Sequence, residues 1–378
     1  MRNHVARSLS YKKQGKVFIV NDQPANIDFT DIGNDCNLSC TSCFKIDKGR
    51  NVEIQEELDL VQKVRERYSD SSLFLYPDEI TTSSYLLEPM QEVGQTYTLS
   101  NGLRLDDVMV DSMLEVGMKS VKVTFFANAE EQEQWQQINA TGYRRIEQNI
   151  CRAIQRGLSV SVNNVLWRDN IQSIVPLLEK CADMGVYKVQ LIRDRTFEEG
   201  TRYIRDKDMD EFVIQVERAK ELFPGTPQIS INYSFAGPNF YGKTLDEARV
   251  KLKTKEWVTS PYLCPAVDQN YWGISSKSGK VSWCPFTINM EQGKLGYINK
   301  NTGEVVITER VDLRPETLRE KLRGKCAKDA CDYQSVCLGG CRITASLLAQ
   351  QRGEEDPLYA EMDTCLTKVY ERVFGGKK

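Results

Sequence analysis

Two hydrophobic patterns take turns along the chain from residue 27 to residue 223: short alternating runs and longer runs at helical spacing. Ile27, Phe29 and Asp31 begin a period-2 stretch that ends at Gly33. Ile54, Leu58, Val61 and Val64 then recur at the spacing of an amphipathic helix. Strand patterns follow at 73–76, 96–100, 120–126, 158–166 and 187–193, and helical patterns at 83–93, 105–116, 143–156, 170–184 and 207–223. A short strand at 17–20 precedes them. Gly94, Gly117, Gly157 and Gly185 each stand between a helix and the next strand, where glycine supplies the left-handed residue that ends a helix. Four such stops predict repeated βα units and a parallel sheet, hence an α/β fold. Six strands alternating with helices fit a partial (β/α)6 TIM-like barrel, with chemistry at the C-terminal ends of the strands.

Composition narrows the class. At 378 residues a main domain with a smaller one is expected. Net charge is −3, so no basic field points to nucleic acid or an anionic membrane. The basic residues Arg2, Arg7, Lys12, Lys13 and Lys16 are mixed with polar ones and read as a solvated arm. No apolar run approaches membrane-spanning length, and residues 1–25 lack the apolar region of a signal peptide, so a cytoplasmic protein is expected. The single histidine, His4, removes Ser-His-Asp and Cys-His nucleophilic chemistry.

Cysteine changes the picture most. Cys36, Cys40 and Cys43 fall within eight residues, spaced x3 then x2, directly after the first strand of the barrel pattern. Thiolates hold Fe–S clusters, usually four to a cubane, so three in one loop leave an iron with an open position. Zinc would want a fourth Cys or His nearby, and a disulfide framework suits small secreted chains. An open Fe–S site is the preferred reading. The stretch Cys36-Asn37-Leu38-Ser39-Cys40-Thr41-Ser42-Cys43 resembles the radical S-adenosylmethionine (SAM) enzymes. The resemblance implies that SAM chelates the open iron and that its reductive cleavage yields a 5′-deoxyadenosyl radical. The family's aromatic residue before the third cysteine is Ser42 here, and Phe44 is the candidate to pack against the adenine.

Further SAM contacts are implied at other strand ends. Leu75 to Thr82 occupies the place of the family's Gly-Gly-Glu-Pro motif. Glu79, Thr81 and Thr82 align, while Pro77 and Asp78 replace both glycines, which normally let backbone approach a ligand closely. An ordinary strand-to-helix turn is the alternative. Ser100-Asn101-Gly102 resembles the family's threonine-asparagine-glycine, and Thr124 stands where serine is common. Ser159, Ser161 and Asn163 form a polar set that lines the barrel or faces water; Asn163 is carried over as a SAM contact. Cys151 and Cys181 lie in helical patterns and are expected in the core.

Gly237 to Thr244 matches the Walker A pattern literally. Pro238 has no amide proton to donate, and Phe240 and Tyr241 fill a loop that should cradle phosphate. A bridge between two domains is the preferred reading. Beyond it come Cys264, Cys284, Cys326, Cys331, Cys337, Cys341 and Cys365. Their spacing resembles the seven-cysteine SPASM extension, which binds two auxiliary [4Fe-4S] clusters; a zinc ribbon is the alternative. By resemblance Cys264, Cys284 and Cys341 hold the first cluster, and Cys326, Cys331, Cys337 and Cys365 the second. Two cubanes need eight ligands, so one is short: Asp268, water or substrate would complete the first.

The expected division is an N-terminal arm at 1–25, a radical SAM barrel at 26–225, a bridge at 226–258 and an auxiliary cluster domain at 259–378. The resemblance implies three [4Fe-4S] clusters, SAM, and an electron donor such as flavodoxin or ferredoxin. The substrate is expected to be a peptide or a small natural-product precursor, with a leader-peptide-binding domain either absent or a separate chain. A non-catalytic Fe–S electron carrier is the alternative of another class, and it needs no SAM site. Sulfatase maturases of the family carry an aspartate after the second SPASM cysteine, where this chain has Pro285. Hydrogen abstraction with net oxidation is expected, because ten cysteines are assigned to clusters and the other two sit on outer helices, away from the strand ends.

Overall fold

The computed structural model describes residues 10–13, 16–19, 24–33, 36–41, 43, 53–194, 204–231, 271–288, 290, 293–308, 313, 315–327, 329–331, 334–354, 357–360 and 365–374. Phe44, Cys264, Asp268 and the Walker-like stretch lie outside them. The first two strands, β1 (Ser10–Lys13) and β2 (Lys16–Ile19), pair antiparallel with each other.

The barrel strands are β3 (Asn26–Ile32), β4 (Ser72–Pro77), β5 (Tyr97–Ser100), β6 (Ser120–Thr124), β7 (Ser159–Leu166), β8 (Lys188–Arg193) and β9 (Gln228–Ile231). β3 pairs parallel with β4, and β5 to β9 form a separate five-stranded sheet in sequential order, parallel throughout. The parallel α/β reading therefore holds. The five-stranded sheet ends in β9, at residues 228–231, the seventh parallel strand counted from β3.

Helices cover the outer face. α1 (Ile54–Arg67), α2 (Leu87–Glu92), α3 (Asp107–Glu115), α4 (Ala129–Gln136), α5 (Ala140–Gln155), α6 (Ile174–Met184) and α7 (Met209–Leu222) follow the strands in turn. The stretch expected as one helix over 83–93 is two short 3-10 turns and then α2. α4 was not legible: its sequence is almost wholly polar, and its start is fixed by the Asn128 side chain accepting from Glu131 N–H. The four predicted glycine stops all have positive φ, between 76° and 98°. After each, the next residue's N–H donates back across the end of the helix, as Leu158 does to Ala153. Ile27, Phe29, Leu73, Leu75, Val121, Val123, Val160 and Val162 join Leu60, Val61, Val64, Ile146 and Ile150 in one buried cluster. The odd and even positions of each strand thus divide, apolar residues toward the helices and polar or aromatic ones inward.

The C-terminal region does not stand apart from the barrel. β10 (Tyr271–Ile274) pairs parallel with β3, and β11 (Lys280–Ser282), β12 (Lys294–Asn299) and β13 (Glu304–Ile307) extend the same sheet antiparallel. Trp272, beside Ile27 in register, meets the Tyr68 ring edge-on at 5.4 Å. A second buried cluster, built on Trp283, Cys284, Leu313, Leu318, Leu322, Leu338, Cys341 and Tyr359, carries the region beyond.

Candidate active site

The cysteine loop leaves β3 at Gly33, whose φ is +93°. A Cβ there would come within 2.6 Å of Ser83 Oγ, so only glycine fits the turn. Gly33 N–H donates to Glu57 Oε2 at 2.9 Å. Cys36, Cys40 and Cys43 are each half-buried, and Leu38 between them packs on the barrel core. Thr41 pins the loop from the far side: its N–H donates to the Trp135 carbonyl and its hydroxyl to the Gln134 carbonyl, both at 2.9 Å. Those carbonyls end the polar helix α4, so the helix missed in the sequence is the one that holds the loop. Trp135 stacks on Trp167 with centroids 5.7 Å apart, and Phe126 completes a small aromatic cluster under that end.

Glu79 ties the neighbouring strand ends together. Its Oε1 accepts from Thr81 N–H at 3.1 Å, Thr81 Oγ1 at 2.9 Å and Ser100 Oγ at 2.7 Å, and its Oε2 from Asn101 N–H at 2.7 Å. Burial holds its carboxyl above the usual range, and the hydrogen bonds from Asn101, Ser100 and Thr81 oppose that shift. Glu79 is therefore a brace that fixes the backbone after β4 against the turn after β5. Asn101 passes the fixation on: its Nδ2 donates to Asn37 Oδ1 at 2.8 Å and lies 3.7 Å from Cys36 Sγ. Hydrogen bonds to cluster sulfurs are among the groups that set a cluster's potential. Gly102, at φ +80°, closes the turn where a Cβ would meet Val123 at 2.8 Å. Thr124 and Asn163 are in register on β6 and β7, half-buried, on the inner face. Ser161 is buried on that face and Ser159 exposed at its foot.

A third set of residues escaped the sequence. The β10–β11 turn places Ser275, Ser276 and Lys277 against the top of β3. Ser275 Oγ donates to Asp31 Oδ2 at 2.6 Å, and Ser276 N–H to Asp31 Oδ1 at 2.9 Å. Ser276 Oγ donates to Glu57 Oε1 at 2.7 Å, on the carboxylate that also holds Gly33. Lys277 Nζ meets Asp78 Oδ2 at 2.8 Å, with the two side chains 1% and 3% exposed. Asp78, at a position where the resembled family has glycine, thus anchors a lysine from 199 residues away.

In the auxiliary region Cys284 and Cys341 share one buried cluster, and Cys326 packs against it. Loss of solvent pushes the Cys337 thiol up to about 12; Cys365, Cys326 and Cys331 are near enough to add to the shift, and Arg342 opposes it. The four cysteines assigned to the second auxiliary cluster are therefore neighbours. Arg342, 1% exposed, donates to the carbonyls of Gly339, Leu358 and Ala360 and holds these loops together. Cys181 is fully buried on α6 and pushed up to about 12 by burial; Cys151 on α5 is half-buried. Among the described residues no three Cys, His, Asp or Glu side chains close around a single-ion point. The described candidate donors are half-buried or buried cysteines, a ligand chemistry consistent with iron–sulfur clusters. Among the described residues no helix is long and apolar enough to cross a membrane.

Comparison with protein families gives no match, and none is found among curated proteins. Solved structures do match. SuiB of Streptococcus suis bound to its precursor peptide SuiA superposes with a TM-score of 0.64 at 13% identity, over 92% of this chain and 76% of that one. SuiB bound to S-adenosylmethionine gives 0.61 at 13% identity, over 92% and 78%. Native anSMEcpe with bound AdoMet gives 0.64 at 16% identity, over 94% and 98%. At such identities the likeness is one of fold. That fold is the one the cysteine spacing pointed to, the radical SAM barrel with a SPASM extension.

Proposed function

We propose that the chain is a radical SAM enzyme that modifies a peptide or protein side chain by hydrogen abstraction, with net oxidation. The observation that carries this reading is the cysteine loop at the end of β3, tied by Asn101 to the Glu79-braced turn. The chain residues divide the work. Cys36, Cys40 and Cys43 would hold a cluster with one iron open, and the backbone from Glu79 to Thr82, with Asn101, Thr124, Asn163 and Phe44, would orient SAM. When bound, the cluster and SAM supply one electron and the 5′-deoxyadenosyl radical that takes the hydrogen. Cys284 and Cys341 with Cys264 and Asp268, and Cys326, Cys331, Cys337 and Cys365, would hold the auxiliary clusters, which would supply an acceptor for a second electron. SuiB is seen bound to its precursor peptide SuiA and to S-adenosylmethionine, and anSMEcpe to AdoMet and a peptide, which supports a peptide substrate here.

The test is reconstitution under anaerobic conditions. About twelve irons are expected from three cubanes. Replacing Cys36, Cys40 and Cys43 together should remove about a third of the iron and all SAM cleavage, leaving the auxiliary spectra. SAM cleavage that survives the triple change would overturn the assignment. With a substrate in hand, in deuterated water, the product should be lighter by two hydrogens; an unchanged composition carrying one solvent deuterium would mark epimerisation instead.

A further inference from the structure

We propose that Asp28 is the residue of the barrel interior that recognises the substrate, accepting a hydrogen bond from an uncharged O–H or N–H donor on the side chain that enters. The proposal rests on the reading above in one respect, that a side chain enters the barrel.

Alternation along β3 sets the direction. Ile27 and Phe29 lie in the cluster that packs on α1, so Asp28 between them points inward. The same alternation on β10 puts Trp272 outward, against Tyr68, and Tyr271 inward. Asp28 is 2% exposed. Its Oδ2 accepts from the Tyr271 hydroxyl, and its Oδ1, fully buried, has no hydrogen-bond partner among the described residues. A buried carboxylate oxygen without a donor is costly, and native structures rarely leave one unfilled. The vacant acceptor is therefore a demand for a donor that no described residue meets.

The surroundings choose the donor. Phe74 stacks on Tyr76, and the Tyr76 and Tyr97 hydroxyls are 2.5 Å apart. Lys122 Nζ sits 5.6 Å from the centre of the Tyr97 ring. Burial lowers the Lys122 pKa, and Lys188 lowers it further. Asp28 is raised to about 7 by burial, against the Tyr271 hydrogen bond; Tyr97 is raised by burial first, with Asp28 adding to the shift. A cationic side chain would enter beside Lys122, whose ammonium burial already disfavours. An acidic one would face Asp28, and an aliphatic one would leave Oδ1 unmet. A serine, threonine, asparagine or glutamine side chain meets all three conditions. Tyr271 comes from the C-terminal region and Asp28 from the first barrel strand, so both parts of the chain shape this site.

The experiment titrates the reconstituted holoenzyme with peptides acetyl-Gly-Gly-X-Gly-Gly-amide, X being serine, glutamine, lysine, glutamate or leucine, read by saturation-transfer NMR. The serine and glutamine peptides should bind about tenfold more tightly than the others, the worth of one hydrogen bond to a buried charged acceptor. Their binding should strengthen as pH rises through the Asp28 pKa, because the carboxylate is the better acceptor. Asp28→Leu should abolish the preference. Asp28→Asn, the gentler change, should keep a weaker preference with no dependence on pH. An unchanged ranking in Asp28→Leu, a flat pH profile in the unaltered enzyme, or tighter binding of the leucine, lysine or glutamate peptide would each overturn the proposal. Formation of 5′-deoxyadenosine without peptide is measured alongside. Its absence with the ranking intact overturns the SAM-cleaving reading alone; its presence with the ranking lost overturns only the role of Asp28.

Discussion

Two of the places where the chain beyond residue 270 meets the barrel use the same kinds of charge in different surroundings. At the top of β3, Lys277 meets Asp78 in a seam where both side chains are almost wholly buried, 1% and 3% exposed. At the outer face, Arg372 of the last helix (Leu366–Phe374) meets Asp206 at 2.9 Å and also Asp210, all three more than 40% exposed. Counted as contacts, the outer seam is the richer, since one guanidinium reaches two carboxylates. Physically the inner seam holds more tightly, because removing one partner there strands a charge without water, while at the surface water takes its place. The inner seam also lies next to chemistry. Its Glu57 holds Gly33, where the cysteine loop begins.

The largest effect should follow from Lys277→Met. It takes the ammonium away from the buried Asp78 carboxylate, and a loss of about 3–5 kcal/mol is expected, as for other broken buried pairs. Urea melts measure it directly. Exchange of the Gly33 amide should quicken and SAM cleavage slow, with the auxiliary cluster spectra unchanged. Adding Asp78→Met should restore most of the stability, since an apolar pair of similar size is tolerated where an orphaned charge is not. A single change no worse than Arg372→Ala would erase the distinction between the two seams.

Ser276→Ala is the next step down. It removes the hydroxyl that donates to Glu57 but leaves the Ser276 N–H on Asp31, so a cost of about 1–2 kcal/mol is expected. The cost should depend on pH. Burial holds the Glu57 carboxyl above its usual range, with Ser276 and Gly33 pulling it down. A carboxyl raised on folding stabilises most fully below its unfolded pKa, and that contribution is lost as pH rises through its folded pKa. The Ser276 hydroxyl serves the ionised form and limits the loss. Melts of the variant against the unaltered protein should therefore diverge more at about pH 8 than at about pH 5. Equal differences at both would show that Glu57 keeps its proton.

The inner seam also marks the limit of what the sequence told. The alternating βα pattern was legible because it is local: glycine stops and apolar spacing both lie within one unit. The cysteine loop was legible for the same reason. β10 was not, because four residues with one glycine carry little pattern, and their partner strand lies 244 positions away between Ile274 and Thr30. Lys277 and Asp78 each looked ordinary alone; Asp78 was noted only as a departure from glycine. Asp28 was passed over because the reading followed the apolar positions Ile27 and Phe29, and the residue between them faces the other side. α4 lacked an apolar stripe, although Asn128 followed by an acidic first turn was a start signal. The brace at Glu79 was half seen: the residue was carried over as a SAM contact, and the structure gives its carboxylate four donors of the chain itself.

Arg372→Ala should have the smallest effect, and it sharpens the comparison from the other side. The guanidinium donates to Asp210 and Asp206 carboxylates and to the Asp206 carbonyl. These hydrogen bonds hold its pKa above the usual value. Yet the groups stand in solvent, where Coulomb attraction is weak and ordering a long side chain offsets part of it. Below about 1 kcal/mol is expected at physiological salt. The remaining attraction should fade as ionic strength rises toward about 1 M, where the Debye length falls to roughly 3 Å. The Lys277 cost should hardly move over the same range, since salt does not enter a seam with both side chains almost wholly buried. Paired urea melts of the two variants across a salt series read both at once. A salt-independent, multi-kilocalorie loss at Arg372 would mean that the last helix docks through a drier contact than its exposed charges imply, with Val369 beneath it carrying the load.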